Sequence, residues 1–365
     1  MLSHLKFIIL QARKRSLAKR DWRARYRAVF AKHPQLSKSV VTHLEQEHKR
    51  LWSPLLAHPN LDTLRLCVNL SGRESSGYVP EELFVTEIEP CLNTYDSAAF
   101  LANKSVYSRW FPETVLPLSY LHNIDGQFFA QDYRLISRLE VDDFLDHLRY
   151  PVVLKPTIDS GGGRDVSFPK NAAELRSEME QRENYVVQEQ IVQHQFFAAL
   201  NAGKGKGVNT LRVCVYRSVV DNTLHILNIA LRIGNVGTLD NDAAGGVACY
   251  VSNDGTLNGY GVDKYGTRYD KHPASGLAFS EIGQIPSMDE LRALVLKLAQ
   301  DVWLIRLMSF DICMDEAGNW RLIEVNLRGQ TIRFSQYAGY PFFRNLTGEV
   351  IRYCLERRHK KLGRG

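Results

Sequence analysis

The sequence predicts a mixed α/β (α+β) protein, and three observations carry that prediction. Short Val/Ile/Leu-rich runs alternate along the chain with segments of helical periodicity. Two pairs of extended runs are closed by turn residues, the mark of antiparallel hairpins. With 365 residues, 44% hydrophobic and 24% charged, the chain is long enough for two α/β lobes and too apolar for wholesale disorder or a fibre. The apolar run Phe7-Ile8-Ile9-Leu10 is far short of the roughly 20 residues of a membrane span. Gln11, Arg13, Lys14 and Arg15 follow it where a signal peptide would place small residues. Six scattered cysteines without a zinc spacing predict reduced thiols and a cytoplasmic setting.

Leu2–Phe30 has helical character. Residues 1–50 hold 13 Lys/Arg against 3 Asp/Glu, a net of +10, whereas the whole chain carries +6; the remainder is therefore mildly acidic, at −4. Three readings of this basic segment stay open. It is a solvated helical extension, a peripheral contact with an anionic membrane surface through residues 1–30, or a nucleic-acid contact through the interleaved Trp22 and Tyr26. No nucleic-acid motif surrounds those two rings, so nucleic acid is not an expected partner.

Residues 64–70 read as a strand and Tyr95–Phe111 as helical. Val152–Lys155 and Asp165–Phe168 read as strands, Ala172–Arg182 as an amphipathic helix capped by Asn171, and Tyr185–Ile191 as a strand. Leu211–Val220 and Leu224–Ile233 flank Asp221-Asn222 as a hairpin. Residues 234–276 are glycine-rich and suggest long functional loops. Ser287-Met-Asp-Glu290 resembles a capping box opening a helix to about Leu307.

The richest segment, residues 310–326, reads as a hairpin turning at Glu316–Asn319. That register sets Asp311 opposite Glu324, with Asn326 on the same face as Glu324. Two carboxylates about 5 Å apart beside apolar neighbours need a positive charge between them, and a hard divalent cation with oxygen ligands, Mg²⁺, suits the pair. A half-exposed hairpin with its acids in water is the alternative. Lys155 ends a buried-looking strand, and Gly161, Gly162 and Gly163 follow it in a flexible run. Together they suit phosphate binding, although an ordinary hairpin turn explains the glycines equally. Neither a Walker loop nor a dinucleotide fingerprint is present.

Taken in order, Lys-Pro, the glycine run, the loop arginine and the final D…E-x-N hairpin resemble the ATP-grasp superfamily over roughly residues 100–350. Asn209-Thr-Leu-Arg212, Ala230-Leu-Arg-Ile-Gly234, Asp240-Asn-Asp-Ala-Ala-Gly-Gly246 and His272-Pro-Ala-Ser-Gly276 are similar to its sugar-transfer-associated branch, whose members are associated with polysaccharide biosynthesis. The resemblance implies a basic extension (1–55), a small preceding region (56–103), lobes 104–190 and 191–355, and a basic tail (356–365). It implies ATP and Mg²⁺, with Lys104 and Lys155 as nucleotide contacts and Gly161–Gly163 as a lid. Gln188, Glu189, Gln190 and Ile191 become the adenine hinge, and His194 falls near the ribose position. Arg212 and Arg232 neutralise the transferred phosphoryl group or anchor an acidic substrate. Asp311, Glu324 and Asn326 become the metal ligands.

The implied activity is carboxylate–amine ligation through an acyl-phosphate, on a small-molecule or sugar-linked substrate. A phosphotransferase acting on a sugar or lipid-linked hydroxyl uses the same ATP site, and a non-catalytic ATP-binding scaffold at the inner membrane surface is a third reading.

Overall fold

The computed structural model describes residues 2–158, 163–240 and 245–363. Two antiparallel sheets organise it. The smaller has the order β3-β2-β1-β5-β4, formed by β1 (Ser119–Ile124), β2 (Gln127–Ala130), β3 (Leu135–Ile136), β4 (Val152–Pro156) and β5 (Tyr185–Glu189). The larger has the order β10-β9-β8-β7-β6-β11-β12. Its strands are β6 (Thr210–Arg217), β7 (Leu224–Ile233), β8 (Val247–Val251), β9 (Gly261–Val262), β10 (Arg268–Tyr269), β11 (Leu307–Met314) and β12 (Trp320–Asn326). Among the described residues no helix is long and apolar enough to cross a membrane.

Strand alternation explains why each sheet has one dry face and one functional face. In the smaller sheet Val152, Leu154, Tyr185 and Val187 pack against helices Arg138–His147 and Ala172–Met179, through Val141, Leu145, Leu175 and Met179. The intervening Val153, Lys155 and Gln188 line a cleft. In the larger sheet Leu211, Val213, Phe310, Ile312 and Leu322 bury against helix Met288–Gln300. The other face is divided. Cys214, Tyr216 and Leu307 are covered by Trp52, Phe84, Phe342, Phe343 and helix Thr347–Gly363, and further along the same strands Arg212 and Asp311 are left to the cleft.

Several local expectations change. Residues 64–70 belong to helix Asp62–Ser71, because Leu64, Cys67 and Leu70 recur at helical spacing and are buried. The Asn60 side chain accepts from Asp62 N at its start, and Gly72, left-handed at φ 71°, ends it. Tyr95–Phe111 is a chain of single turns, Tyr95–Ser97, Ala99–Ala102, Lys104–Val106 and Tyr107–Trp110. Ser287 is left-handed and makes no side-chain cap, and its helix ends at Gln300. Residues 165–168 contribute one bridge, Ser167 to Leu154, and the glycine-rich stretch carries three strands. The helix capped by Asn171, the 210–233 hairpin and the N-terminal helix (Leu2–Lys32) form as the sequence predicts.

Asn93 ties these layers together. Its buried amide donates to Leu307 O and Leu327 O, each at 2.7 Å, and accepts from Leu307 N at 2.9 Å and Arg306 N at 3.2 Å. Losing it strands four main-chain groups where β11 begins and β12 ends. Asn93→Ala is expected to destabilise the protein by roughly 3 kcal/mol, measured as a lower urea midpoint with an unchanged slope.

Candidate functional site

A cleft of about 420 Å³ lies between the two sheets, within the range for a small-ligand site. One end is apolar, with Val153, Val166, Phe168, Leu239 and Ile323 in its walls. Gln188, Glu189, Gln190 and Ile191 run along its edge, where β5 ends. Glu189 is fixed there, accepting from Leu118 N and pairing with Arg321, both at 2.9 Å.

The other end is charged. Lys104, Lys155, Arg212, Arg232, Arg328 and Arg333 line the cleft there against Asp240, Asp311 and Glu324, six cations to three anions. Its geometry depends on a bulge. Met314 pairs with Trp320 and Ile312 with Leu322, but Asp311 pairs with Glu324. The turn is therefore one residue longer than the sequence suggested, and the bulge restores the expected Asp311–Glu324 pairing. It also turns both Ile323 and Glu324 toward the cleft.

Asp311 receives two arginines from two neighbouring strands. Arg212 Nε and an Nη donate to its two oxygens at 2.7 Å each, and Arg232 donates at 2.8 Å. Burial raises an aspartate's pKa, but these two guanidinium groups override it and hold Asp311 well below the usual carboxylate range. Burial likewise lowers an arginine's pKa, and Asp311 reverses that for Arg212, which stays firmly cationic. Arg232 also pairs with Asp240 at 3.3 Å, and Thr210 donates to the same carboxylate. Burial raises the Asp240 pKa against the pull of Arg232.

Lys104 and Lys155 arrive from the other side. The backbone N–H of Lys104 donates to Thr157 O at 2.8 Å, fixing its turn to the end of β4, and its ammonium donates to Glu324 at 2.7 Å. Lys155 is buried. Desolvation, then repulsion by Lys104, lowers its pKa to about 7 despite the opposing pull of Glu324. Gly163 is left-handed at φ 73°, and a Cβ there would meet Leu239 Cδ1 at 2.1 Å, so only glycine lets this loop lie against the larger lobe. Gly161 and Gly162 lie outside the described residues, as do Asn241 and Asp242.

Of the other residues singled out from the sequence, all line the cleft except His194. Its Nδ1 accepts from Phe196 N at 3.2 Å, capping helix Gln195–Ala199. That structural role replaces the expected ribose contact. Thr210, Asp240, Arg328 and Arg333 were missed. Arg328 sits two residues past Asn326, and reading one step further along that strand would have found it. The other three depend on long-range placement.

The expected metal ligands are partly engaged already. An ionised carboxylate accepts about four hydrogen bonds; Asp311 accepts three from arginines, and Glu324 accepts from Lys104. Asn326 Nδ2 is buried with no hydrogen-bond partner, leaving its amide available to the cleft. The side-chain oxygens of Glu324 and Asn326 are of the hard type that Mg²⁺ takes, with Asp311 chiefly an arginine clamp. Among the described residues no cluster of three or more His, Cys, Asp or Glu is placed to hold a metal.

Residues 170–350 match the family described as sugar-transfer associated ATP-grasp. The segment holds the arginine clamp and the Glu324/Asn326 pair, while Lys104 and Lys155 precede it. No curated protein matches the sequence. Solved structures with some likeness include N5-carboxyaminoimidazole synthetase from Staphylococcus aureus with ADP (TM-score 0.43, 10% identity, 71% of this chain and 54% of that one). Another is an L-amino acid ligase from Bacillus licheniformis (0.41, 14%, 71% and 48%). A third is the biotin carboxylase domain of 2-oxoglutarate carboxylase from Hydrogenobacter thermophilus with MgADP (0.43, 14%, 72% and 47%). This chain spans about half the length of each.

Two outcomes follow from the electrostatics. Asp311→Asn leaves two buried arginines without their carboxylate and should destabilise the ligand-free protein by about 3 kcal/mol. A residue serving only as a metal ligand would instead relieve repulsion with Glu324, and the melting temperature would hold or rise. For Lys155 the unfolded chain binds more protons than the native one between about pH 7 and the ordinary lysine value, so its contribution to stability rises with pH across that window. The melting temperature of the wild type should therefore gain on that of Lys155→Met as pH increases from about 7 to about 10.

Proposed function

Residues 170–350 belong to the sugar-transfer associated ATP-grasp family, and from that premise we propose that the protein is an ATP- and Mg²⁺-dependent ligase joining a carboxylate to an amine. The observation that carries the reading is the convergence of Lys104, Lys155, Arg212 and Arg232 beside Glu324 and Asn326 at one end of a cleft whose other end is apolar. A nucleotide matches that polarity. Its base lies among Val153, Phe168 and Ile323 along the Gln188–Ile191 edge, and its polyphosphate lies among the cations.

The chemistry follows from charge. A carboxylate oxygen of the substrate attacks the γ-phosphorus of ATP as the bond to the β-phosphate oxygen breaks, giving an acyl-phosphate and ADP. An amine then attacks the acyl carbon, phosphate leaves with the bonding pair, and the amine gives up a proton to form the amide. Arg212 and Arg232, aimed by Asp311, neutralise charge spreading over the transferred phosphoryl group. Lys155, half protonated near neutrality when the cleft is empty, takes up its proton as polyphosphate binds. Glu324 and Asn326 would hold Mg²⁺, which supplies Lewis-acid neutralisation of phosphate oxygens. Arg328 and Arg333 lie beyond Asn326 in the cleft wall and suit an acidic acceptor. A sugar-linked acceptor of polysaccharide biosynthesis is the class we favour.

The test pairs binding with product analysis. At a hundred times its dissociation constant, MgATP should stabilise the protein by about 2.7 kcal/mol, with a smaller melting shift in Arg232→Met and Lys155→Met. An acceptor screen should yield ADP with stoichiometric inorganic phosphate, and hydroxylamine should trap the activated carboxylate as a hydroxamate. A phosphorylated acceptor in place of free phosphate would make the protein a phosphotransferase. A MgATP shift without turnover of any acceptor would leave the ATP-binding scaffold, and a folded protein with no MgATP shift would overturn both.

A further inference from the structure

The N-terminal helix Leu2–Lys32 has two faces of different character. Trp22, Tyr26, Val29 and Phe30 turn inward onto Leu36, Leu66, Tyr260 and Tyr337, and the Tyr26 hydroxyl hydrogen-bonds Thr63. The two rings that made nucleic acid conceivable are thus occupied, Tyr26 by burial and Trp22 by packing against this cluster beneath the Arg25 guanidinium at 4.7 Å. Outward, Leu10, Arg13, Leu17, Arg20, Ala24 and Arg27 succeed one another at spacings of three and four, and all are exposed. Ile9, Leu10 and Leu17 are 58%, 50% and 41% exposed, so aliphatic surface alternates with arginine along this face. Asp21 is the helix's one acid, and it pairs with Arg20 at 3.5 Å.

A second basic element packs beside this helix. Glu87 accepts from Arg15 of the N-terminal helix and from Arg358 of helix Thr347–Gly363 at 2.9 Å. One buried-side carboxylate thus ties the two basic helices together, with Arg352 and Arg357 on the second and His359-Lys360-Lys361 next in its sequence. A groove of about 1040 Å³ between them is lined by Lys14, Arg328 and Arg357 together with Glu89, Asp96 and Glu356, and Arg328 also lines the candidate cleft.

We propose that this face docks on the anionic surface of a lipid bilayer, with Ile9, Leu10 and Leu17 entering the headgroup region and Arg13, Arg20 and Arg27 pairing with lipid phosphates. Charge complementarity selects an anionic partner, and the interleaved aliphatic side chains select lipid over nucleic acid, which offers them nothing apolar to enter.

Co-sedimentation of the full chain with vesicles tests this. Binding is expected to vesicles with about 30% phosphatidylglycerol at about 0.15 M salt and not to pure phosphatidylcholine. Arg13→Glu/Arg20→Glu should lower partitioning at least about tenfold, and Leu10→Ser/Leu17→Ser about tenfold. All four positions are exposed, so melting temperatures should match the wild type. Equal binding to both vesicle types, or anionic binding unchanged in the Leu10/Leu17 variant, would overturn the proposal. So would a DNA duplex bound more tightly than anionic vesicles, which would make nucleic acid the partner. Because vesicle binding is read without ATP, its failure leaves the ligase reading untouched.

Discussion

The Asp311 carboxylate, held by Arg212 and Arg232, is the interaction on which the functional end of the cleft depends. Three adjacent strands meet there. Asp311 on β11 pairs in register with Arg212 on β6, and Arg232 reaches over from β7. Burying one carboxylate among two arginines is tolerable only because every bond is short and nearly all of the anion's acceptor capacity is filled. The same arrangement leaves a net positive charge, and a polyphosphate is the kind of ligand that satisfies it. Asp311 therefore orients cations for a ligand while keeping them from repelling one another in its absence.

From the opposite wall Lys104 reaches Glu324, the register partner of Asp311, and Lys155 beside that pair is the most adjustable charge. Its depressed pKa follows from burial beside another lysine, so arrival of an anionic ligand changes its protonation as well as its contacts. The basic N-terminal helix is built differently. Its cations are exposed and its aliphatic residues face outward, so it is matched to an extended surface, where the cleft is matched to a compact ligand.

Much of this was legible in the sequence because it rests on periodicity. Val153 and Lys155 share a strand face, as do Glu324 and Asn326, and alternation alone reveals it. The Asp311–Glu324 pairing emerged from two offsets that cancelled, a longer turn and a bulge, neither of which leaves a mark in a run of apolar residues. Residues 64–70 misled because Leu-Arg-Leu-Cys-Val alternates like a strand, although Asn60-Leu-Asp62 before it and Gly72 after it mark a helix start and stop. His194 misled because proximity in the chain to the hinge is not proximity to the cleft.

By itself the sequence determined the α/β alternation, the acidic hairpin, the phosphate-suited lysine and glycines, and the concentration of positive charge at the N-terminus. Each is a local or short-period property of the chain. Only the tertiary structure decided which charges neutralise which. Arg212 and Arg232 meet Asp311 across strands separated by tens of residues, and Arg15 and Arg358 share Glu87 from opposite ends of the chain. The strength of a charge pair depends on distance and burial, and for partners remote in sequence both are set by how the sheets and helices pack.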